Sequence, residues 1–288
     1  MRWLDSEDQA RLKGLGFSPK RPHAQGAVGR HRTLARGFSR DFTSHRPYAA
    51  GDEARAIDWK AYARLDRYYV REYRAEDRVT LMVLLDASAS MTFRGGGRES
   101  KLDVARRAAA GLAWIALAQG DEAGLAAVGG AAKADLRPRG GAGQLAAFDD
   151  SLSAVSAGAE ADLAAALESS AERLPRRAAV VVISDLMGDP ARVLKALRRL
   201  SVGRRELMVL RVLDPEEREF PYEGSLRIEG LEGGTLMLDA AEAAPAYREA
   251  FARQEEAYRG ALRRAAVPYA VASTDAAWTS AVSRLLAA

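Results

Sequence analysis

Three nearly continuous aliphatic runs, Val79–Leu85, Ala178–Ser184 and Glu206–Leu213, constrain the fold more than any other feature of this chain. A strand that is apolar on both faces belongs in the middle of a sheet covered on both sides. Around these runs lie stretches with apolar residues at helical spacing: Leu102–Ala118, Gln144–Val155, Leu163–Leu174, Pro190–Leu200, Ala243–Ala265 and Ala276–Leu286. Pro190–Leu200 has proline in its first turn and arginines in its last, the polarity a helix prefers. Shorter strands are expected at Gly124–Val128 and Ala132–Leu136, turning at Gly129-Gly130, and at Tyr269–Ala272. This alternation predicts one α/β domain over residues 78–288, an open, doubly wound, mostly parallel sheet with helices on both faces. Ser225–Ile228 and Thr235–Leu238 read as a hairpin inserted at about residues 220–240 and appended to the sheet edge.

Residues 1–77 have another texture, a basic segment expected to pack on the main domain. Asp5 or Ser6 can cap a short helix there, and Arg67–Tyr73 reads as a strand or hairpin arm. Of the net charge of +4, residues 1–78 hold +6 and the remaining 210 hold −2. Such asymmetry suits an acidic partner, although the basic residues are interspersed with acids as on an ordinary solvated surface. The lack of cysteine excludes disulfide scaffolds, thiolate metal sites and cysteine nucleophiles. His23, His31 and His45 have no metal-ligand spacing, and neither Gly95–Gly97 nor Gly140–Gly143 leads into the Lys-Ser/Thr of a phosphate loop. The longest uncharged apolar run, Ala108–Ala118, has eleven residues, against the roughly 20 that span a bilayer. The first residues lack the apolar stretch of a signal peptide, so the expected compartment is the cytoplasm.

In open α/β sheets, ligands bind beyond the carboxyl ends of the strands where strand order reverses. With the order 3-2-1-4-5-6, that point lies between the first buried strand, which leads into Asp86-Ala-Ser88-Ala-Ser90, and the fourth, which leads into Ser184-Asp185. Alternation lets the oxygens of Asp86, Ser88 and Ser90 turn to one side. Hard oxygen ligands of low total charge suit Mg²⁺, with Mn²⁺ the other candidate. The plainer reading is a serine-rich turn in which Asp86 caps the helix that follows.

Asp86-Ala-Ser-Ala-Ser-Met91 after one aliphatic strand and Ile183-Ser-Asp185 after another resemble the von Willebrand factor A domain. Upstream, Tyr48-Ala-Ala-Gly-Asp-Glu-Ala-Arg-Ala-Ile-Asp-Trp59, then Ala63-Arg64 and Val70-Arg-Glu-Tyr73, resemble the signature of domain-of-unknown-function family 58. The resemblance runs from about Gly29 to the C-terminus. It implies a von Willebrand A-like fold with a metal-ion-dependent adhesion site, in which Asp86, Ser88, Ser90 and Asp185 match the ligand pattern. The family's threonine is replaced by Ala161, which cannot ligate, leaving water or Asp162 as the substitute. The resemblance also implies a MoxR-type AAA+ ATPase, or a protein it remodels, as partner. Within the upstream block, Asp58 can cap a helix beginning at Trp59. Asp52, Arg55, Asp58 and Arg64 supply opposite charges for a structural clasp or, with Trp59, a partner-binding surface.

The expected function is therefore a non-enzymatic interaction or adaptor module. A nucleic-acid binder using the basic segment and its tyrosines, and a metal-assisted hydrolase at Asp86 and Asp185, are the alternatives from other classes.

Overall fold

The computed structural model describes residues 1–17, 42–49, 57–73, 78–129, 134–158, 162–229 and 235–288. The chain divides into two compact units, Met1–Lys20 together with Val79–Ala288, and Arg21–Arg78. In the smaller unit, β1 (Phe42–Pro47) pairs antiparallel with β2 (Tyr69–Tyr73), and α2 (Trp59–Leu65) lies between them in sequence. Asp58 caps α2, accepting from the backbone N–H groups of Lys60 and Ala61.

The larger unit has the expected open, mostly parallel sheet. Its strands are β3 (Thr80–Asp86), β4 (Glu122–Val128), β5 (Asp135–Arg139), β6 (Ala178–Ser184), β7 (Glu206–Leu213) and β10 (Tyr269–Ser273), ordered β10-β7-β6-β3-β4-β5. Counted within this sheet, that order is 3-2-1-4-5-6 read from the other edge. Only β5 runs antiparallel, against β4. The side chains of β3 alternate between two cores, as a doubly covered strand requires. Leu81, Val83 and Leu85 pack with α3 (Lys101–Ala118), α4 (Ala142–Ala154) and α9 (Trp278–Ala287). Met82 and Leu84 face α5 (Leu163–Ala171), α6 (Pro190–Leu200) and the C-terminal half of α8 (Ala240–Arg264).

Three expectations need correction or refinement. The N-terminal segment is split: α1 (Ser6–Leu12), capped by Asp5, packs against α3 and α9, because Leu4 and Leu12 are buried in the same core as α3. Strand β5 begins three residues later than expected and runs through Pro138, which an edge strand tolerates because no further ladder needs its missing N–H. The hairpin, β8 (Ser225–Glu229) and β9 (Thr235–Asp239), is not appended to the sheet edge; its strands form a separate two-stranded sheet. Its Leu226 and Leu238 instead join Phe220, Tyr222, Ala240 and Ala244 in a small satellite core. A short helix absent from the sequence reading, α7 (Pro215–Glu219), precedes it with a reciprocal capping box between Asp214 and Glu217. Among the described residues, no helix is long and apolar enough to cross a membrane.

Gly111 lies where α3 meets α1 and α9. A β-carbon there would stand 2.7 Å from Trp278 Cζ3 and 2.9 Å from Leu12 Cδ1. Both neighbours are themselves buried, so neither has open space to retreat into. Gly111→Ala is expected to cost about 1–3 kcal/mol by overpacking, despite alanine's better helix propensity. Urea unfolding measures this; a variant as stable as the parent would show that the three-helix contact is loose.

Candidate functional site

Strands β3 and β6 are parallel neighbours with Leu85 opposite Ile183, so their last residues, Asp86 and Ser184, emerge side by side. The remaining strands extend to either side of this pair, making it the reversal point at which such sheets open a crevice. Ser184 Oγ donates to Asp86 Oδ2 at 2.6 Å, and the Ser88 N–H donates to Asp86 Oδ1 at 2.9 Å. The chain then enters a 3-10 turn over Ala89–Thr92, where the hydroxyls of Ser88 and Ser90 lie 3.0 Å apart. Asp185 follows Ser184 directly. The four residues of the expected ligand set therefore gather at one end of the sheet.

Sequence reasoning missed the groups that hold them. Ser184 Oγ also accepts from the Leu186 N–H at 2.9 Å, and Asp185 Oδ1 accepts from the Met187 N–H at 3.1 Å. Leu186 adopts φ 56°, a left-handed conformation costly for a residue with a β-carbon. Three contacts brace it: its buried side chain, Tyr258 Oη donating to its carbonyl at 3.0 Å, and the wholly buried Arg211 donating Nε to the Asp185 carbonyl at 2.9 Å. Arg211 interrupts an otherwise aliphatic strand, the one signal by which it could have been picked out. It reaches Gln254 on α8 at 2.8 Å and lies over the rings of Phe251 and Tyr258.

Three strands of the six-stranded sheet end in or just before an aspartate, and the three carboxylates are compensated differently. Asp214, after β7, meets Arg98 Nη2 at 2.9 Å and also accepts from Thr274 Oγ1 and the backbone of Gly95 and Glu216. Burial pushes its carboxyl up, but these donors outweigh that and bring it down to about 2. Asp185, after β6, takes the ammonium of Lys101 at 2.7 Å, and Lys101 Nζ also meets Glu217 Oε1 at 2.5 Å. Burial would lower the Lys101 ammonium, but the two carboxylates hold it above its ordinary value. Asp86, 1% exposed, has only neutral donors among the described residues: the hydroxyls of Ser184 and Ser88 and the Ser88 N–H. Burial first, and the charge of Asp185 second, push its carboxyl up to about 6. Of the three, Asp86 alone has no cation among the described residues.

The other singled-out residues lie elsewhere. Asp162 caps α5 through the Ala165 N–H at 3.2 Å and pairs with Arg192, whose hydrogen bond holds its carboxyl below the usual range. Ala161 lies outside the described residues, as do Asp52 and Arg55. Asp58, Trp59 and Arg64 belong to the smaller unit, where Asp58 serves as the α2 cap and Trp59 is 59% exposed. There Tyr62 stacks on Tyr68 at 4.6 Å and Trp59 meets both edge-on. Among the described residues, no three His, Cys, Asp or Glu side chains converge in a way that could hold a metal ion. Any ion at Asp86 would therefore depend on the serine hydroxyls. Their 3.0 Å separation is about that of adjacent ligands on an octahedral ion with bonds of roughly 2.1 Å.

Residues 44–261 match the family described as "Protein of unknown function DUF58". An uncharacterized protein of Mycobacterium tuberculosis (strain H37Rv) is 29% identical, over 98% of this chain and 90% of that protein. Among solved structures, an aerotolerance-related membrane protein from Bacteroides fragilis covers 73% of this chain and 100% of its own, at 20% identity and a TM-score of 0.45. BatB from Bacteroides thetaiotaomicron covers 73% and 97%, at 18% identity and a TM-score of 0.43.

The state of Asp86 has a consequence for stability. Its carboxyl titrates near its ordinary 3.8 in the unfolded chain and near 6 in the fold. Between those values the folded state binds the extra proton, so this group's contribution falls as pH rises through the window. Asp86→Asn removes that loss. In EDTA, the variant is expected to be more stable than the parent at pH 7.5, by on the order of 1 kcal/mol or more, and to decline less from pH 4 to 7. Denaturant unfolding across that range reads both; a variant less stable at pH 7.5 would mean that the bare carboxylate is net stabilising.

Proposed function

We propose that this chain, which belongs to the DUF58 family, is a non-enzymatic protein-interaction module. Its sheet-end site would grip an acidic side chain of a partner protein through a divalent cation. The observation that carries this reading is the contrast among the three aspartates at the ends of the main sheet's strands: among the described residues, Asp214 and Asp185 have cations of their own, and Asp86 does not. Mg²⁺ or Mn²⁺ would be held by Asp86, Ser88 and Ser90, with Asp185 beside them. Such an ion would supply the charge missing at Asp86 and, as the von Willebrand A resemblance implies, a coordination position for the partner's carboxylate. The chain's own residues supply rigidity: Ser184 and the Ser88 N–H fix Asp86, while Leu186, Tyr258 and Arg211 fix the loop that carries Asp185.

Asp162 is a weaker candidate for the missing threonine's place, because recruiting it would break both its helix cap and its pairing with Arg192. The partner class comes from the resemblance: a MoxR-type AAA+ ATPase or its client, in the cytoplasm, with the chain as an adaptor in complex assembly or maturation. A nucleic-acid reading draws on one specific observation, the exposed rings of Trp59 and Tyr68 beside the exposed Lys60, Arg64 and Arg67. It requires oligonucleotide binding that weakens steeply with salt.

Calorimetric titration with Mg²⁺ and then Mn²⁺ tests the proposal, with Asp86→Ala as control. Saturable binding in the parent and none in the variant is the expected result. The same variant should lose the ATPase or client in Mg²⁺ as the parent does in EDTA. Equal partner affinity in both proteins, with and without metal, would remove the cation bridge from the account.

A further inference from the structure

Lys101 is the least economical residue in the larger unit. It is 0% exposed, so its ammonium has given up its water. It is also the first residue of the 18-residue helix α3, and the amino end of a helix is where a positive charge is least welcome. A buried ion pair is usually no more stabilising than apolar residues of the same volume. Retention of a lysine here therefore asks for a role that needs the charge. Its Nζ touches Asp185 Oδ2 at 2.7 Å and Glu217 Oε1 at 2.5 Å, with the Phe93 ring 5.8 Å away. Asp185 is also the carboxylate whose charge bears on Asp86. The ammonium thus stands on one wall of the negative well that a divalent ion would enter.

We propose that Lys101 is the resident cation of this site: its ammonium occupies Asp185, competes with a divalent ion for the field of the two aspartates, and sets the ion's affinity low. The inference rests on the reading of Asp86, Ser88, Ser90 and Asp185 as a cation site. Lys101 acts through Asp185 and is a positioning and tuning residue. Glu217 has the opposite effect, since it draws part of the ammonium's charge away from Asp185 and adds negative charge of its own. The two residues form one bridge yet push metal affinity in opposite directions.

That opposition separates an electrostatic role from a structural tie. Lys101→Met keeps the side-chain volume and deletes the charge; Glu217→Gln keeps the shape and deletes the negative charge. The full-length variants are titrated with Mg²⁺ and Mn²⁺ by calorimetry, and their melting temperatures are compared in Mg²⁺ and in EDTA. Lys101→Met is expected to bind about tenfold tighter or more, with a larger Mg²⁺-dependent rise in melting temperature than the parent. Glu217→Gln is expected to bind more weakly. If Lys101→Met does not fold, Lys101→Gln replaces it, since its amide can still donate to a carboxylate.

Weak saturable binding in the parent beside clearly tighter binding in the Lys101 variant would be the strongest support, because the resident cation would then be what holds the ion's affinity low. Weaker binding in both the Lys101 and Glu217 variants would reduce the bridge to a structural tie and overturn the proposal. Unchanged affinity on loss of the Lys101 charge would overturn it as well. Absence of binding in the parent and in every Lys101 variant would overturn the cation-site reading itself, an outcome distinct from the other two.

Discussion

Two carboxylates in a nearly water-free pocket repel each other and cannot both stay charged without help. Parallel pairing of β3 with β6 makes that encounter unavoidable, because the register that sets Leu85 against Ile183 delivers Asp86 and Ser184 to the same spot, with Asp185 one residue on. Much of what surrounds them answers that constraint. Ser184 and the Ser88 N–H hold the two oxygens of Asp86, and Lys101 neutralises Asp185. The left-handed Leu186 is a distortion accepted to aim the loop, braced by Tyr258 and Arg211.

The same logic links the site to the satellite core. Glu217 sits on α7, directly before Phe220 and the hairpin, and its backbone carbonyl accepts from Tyr247 Oη at 2.7 Å. Arg248 on α8 donates to the carbonyls of Glu219 and Phe220. The Lys101 bridge therefore joins three chain segments: the start of α3, the Asp185 loop and α7. The hairpin, instead of extending the sheet, leads into α8, whose later turns carry Gln254 to Arg211 and Tyr258 to Leu186.

The aliphatic runs make the three central strands readable in the sequence, because central parallel strands need apolar residues on both faces and few other structures do; the strand order follows from the doubly wound fold class they imply. Asp86, Ser88, Ser90 and Asp185 were readable for the same reason: they stand at the ends of those strands. Lys101 was not. It reads as the first residue of an ordinary helix, and only the fold brings Asp185 and Glu217, from 84 and 116 residues away, onto its ammonium. Arg211 was visible as a charge within an aliphatic run, but its partner is a backbone carbonyl, which no sequence pattern marks. Alternation at the hairpin predicts a strand pair but says nothing about which edge, if any, it joins, and β8 and β9 form a sheet of their own. Helix α8 begins at Ala240 instead of Ala243 because Asp239 caps it upstream of Pro245.

On the proposal above, the end of β3 is a cation site centred on Asp86. The most direct measurement is anomalous diffraction from crystals of the full chain soaked in Mn²⁺ near neutral pH, beside Asp86→Ala crystals treated alike. A cation site there requires one strong peak within bonding distance of the Ser88 and Ser90 hydroxyls and against Asp86, absent from the variant. A strand end bare of manganese, with Asp86 still held by Ser184 and the Ser88 N–H, would contradict it. The buried aspartate would then be a structural hydrogen-bond acceptor with no cation to hold.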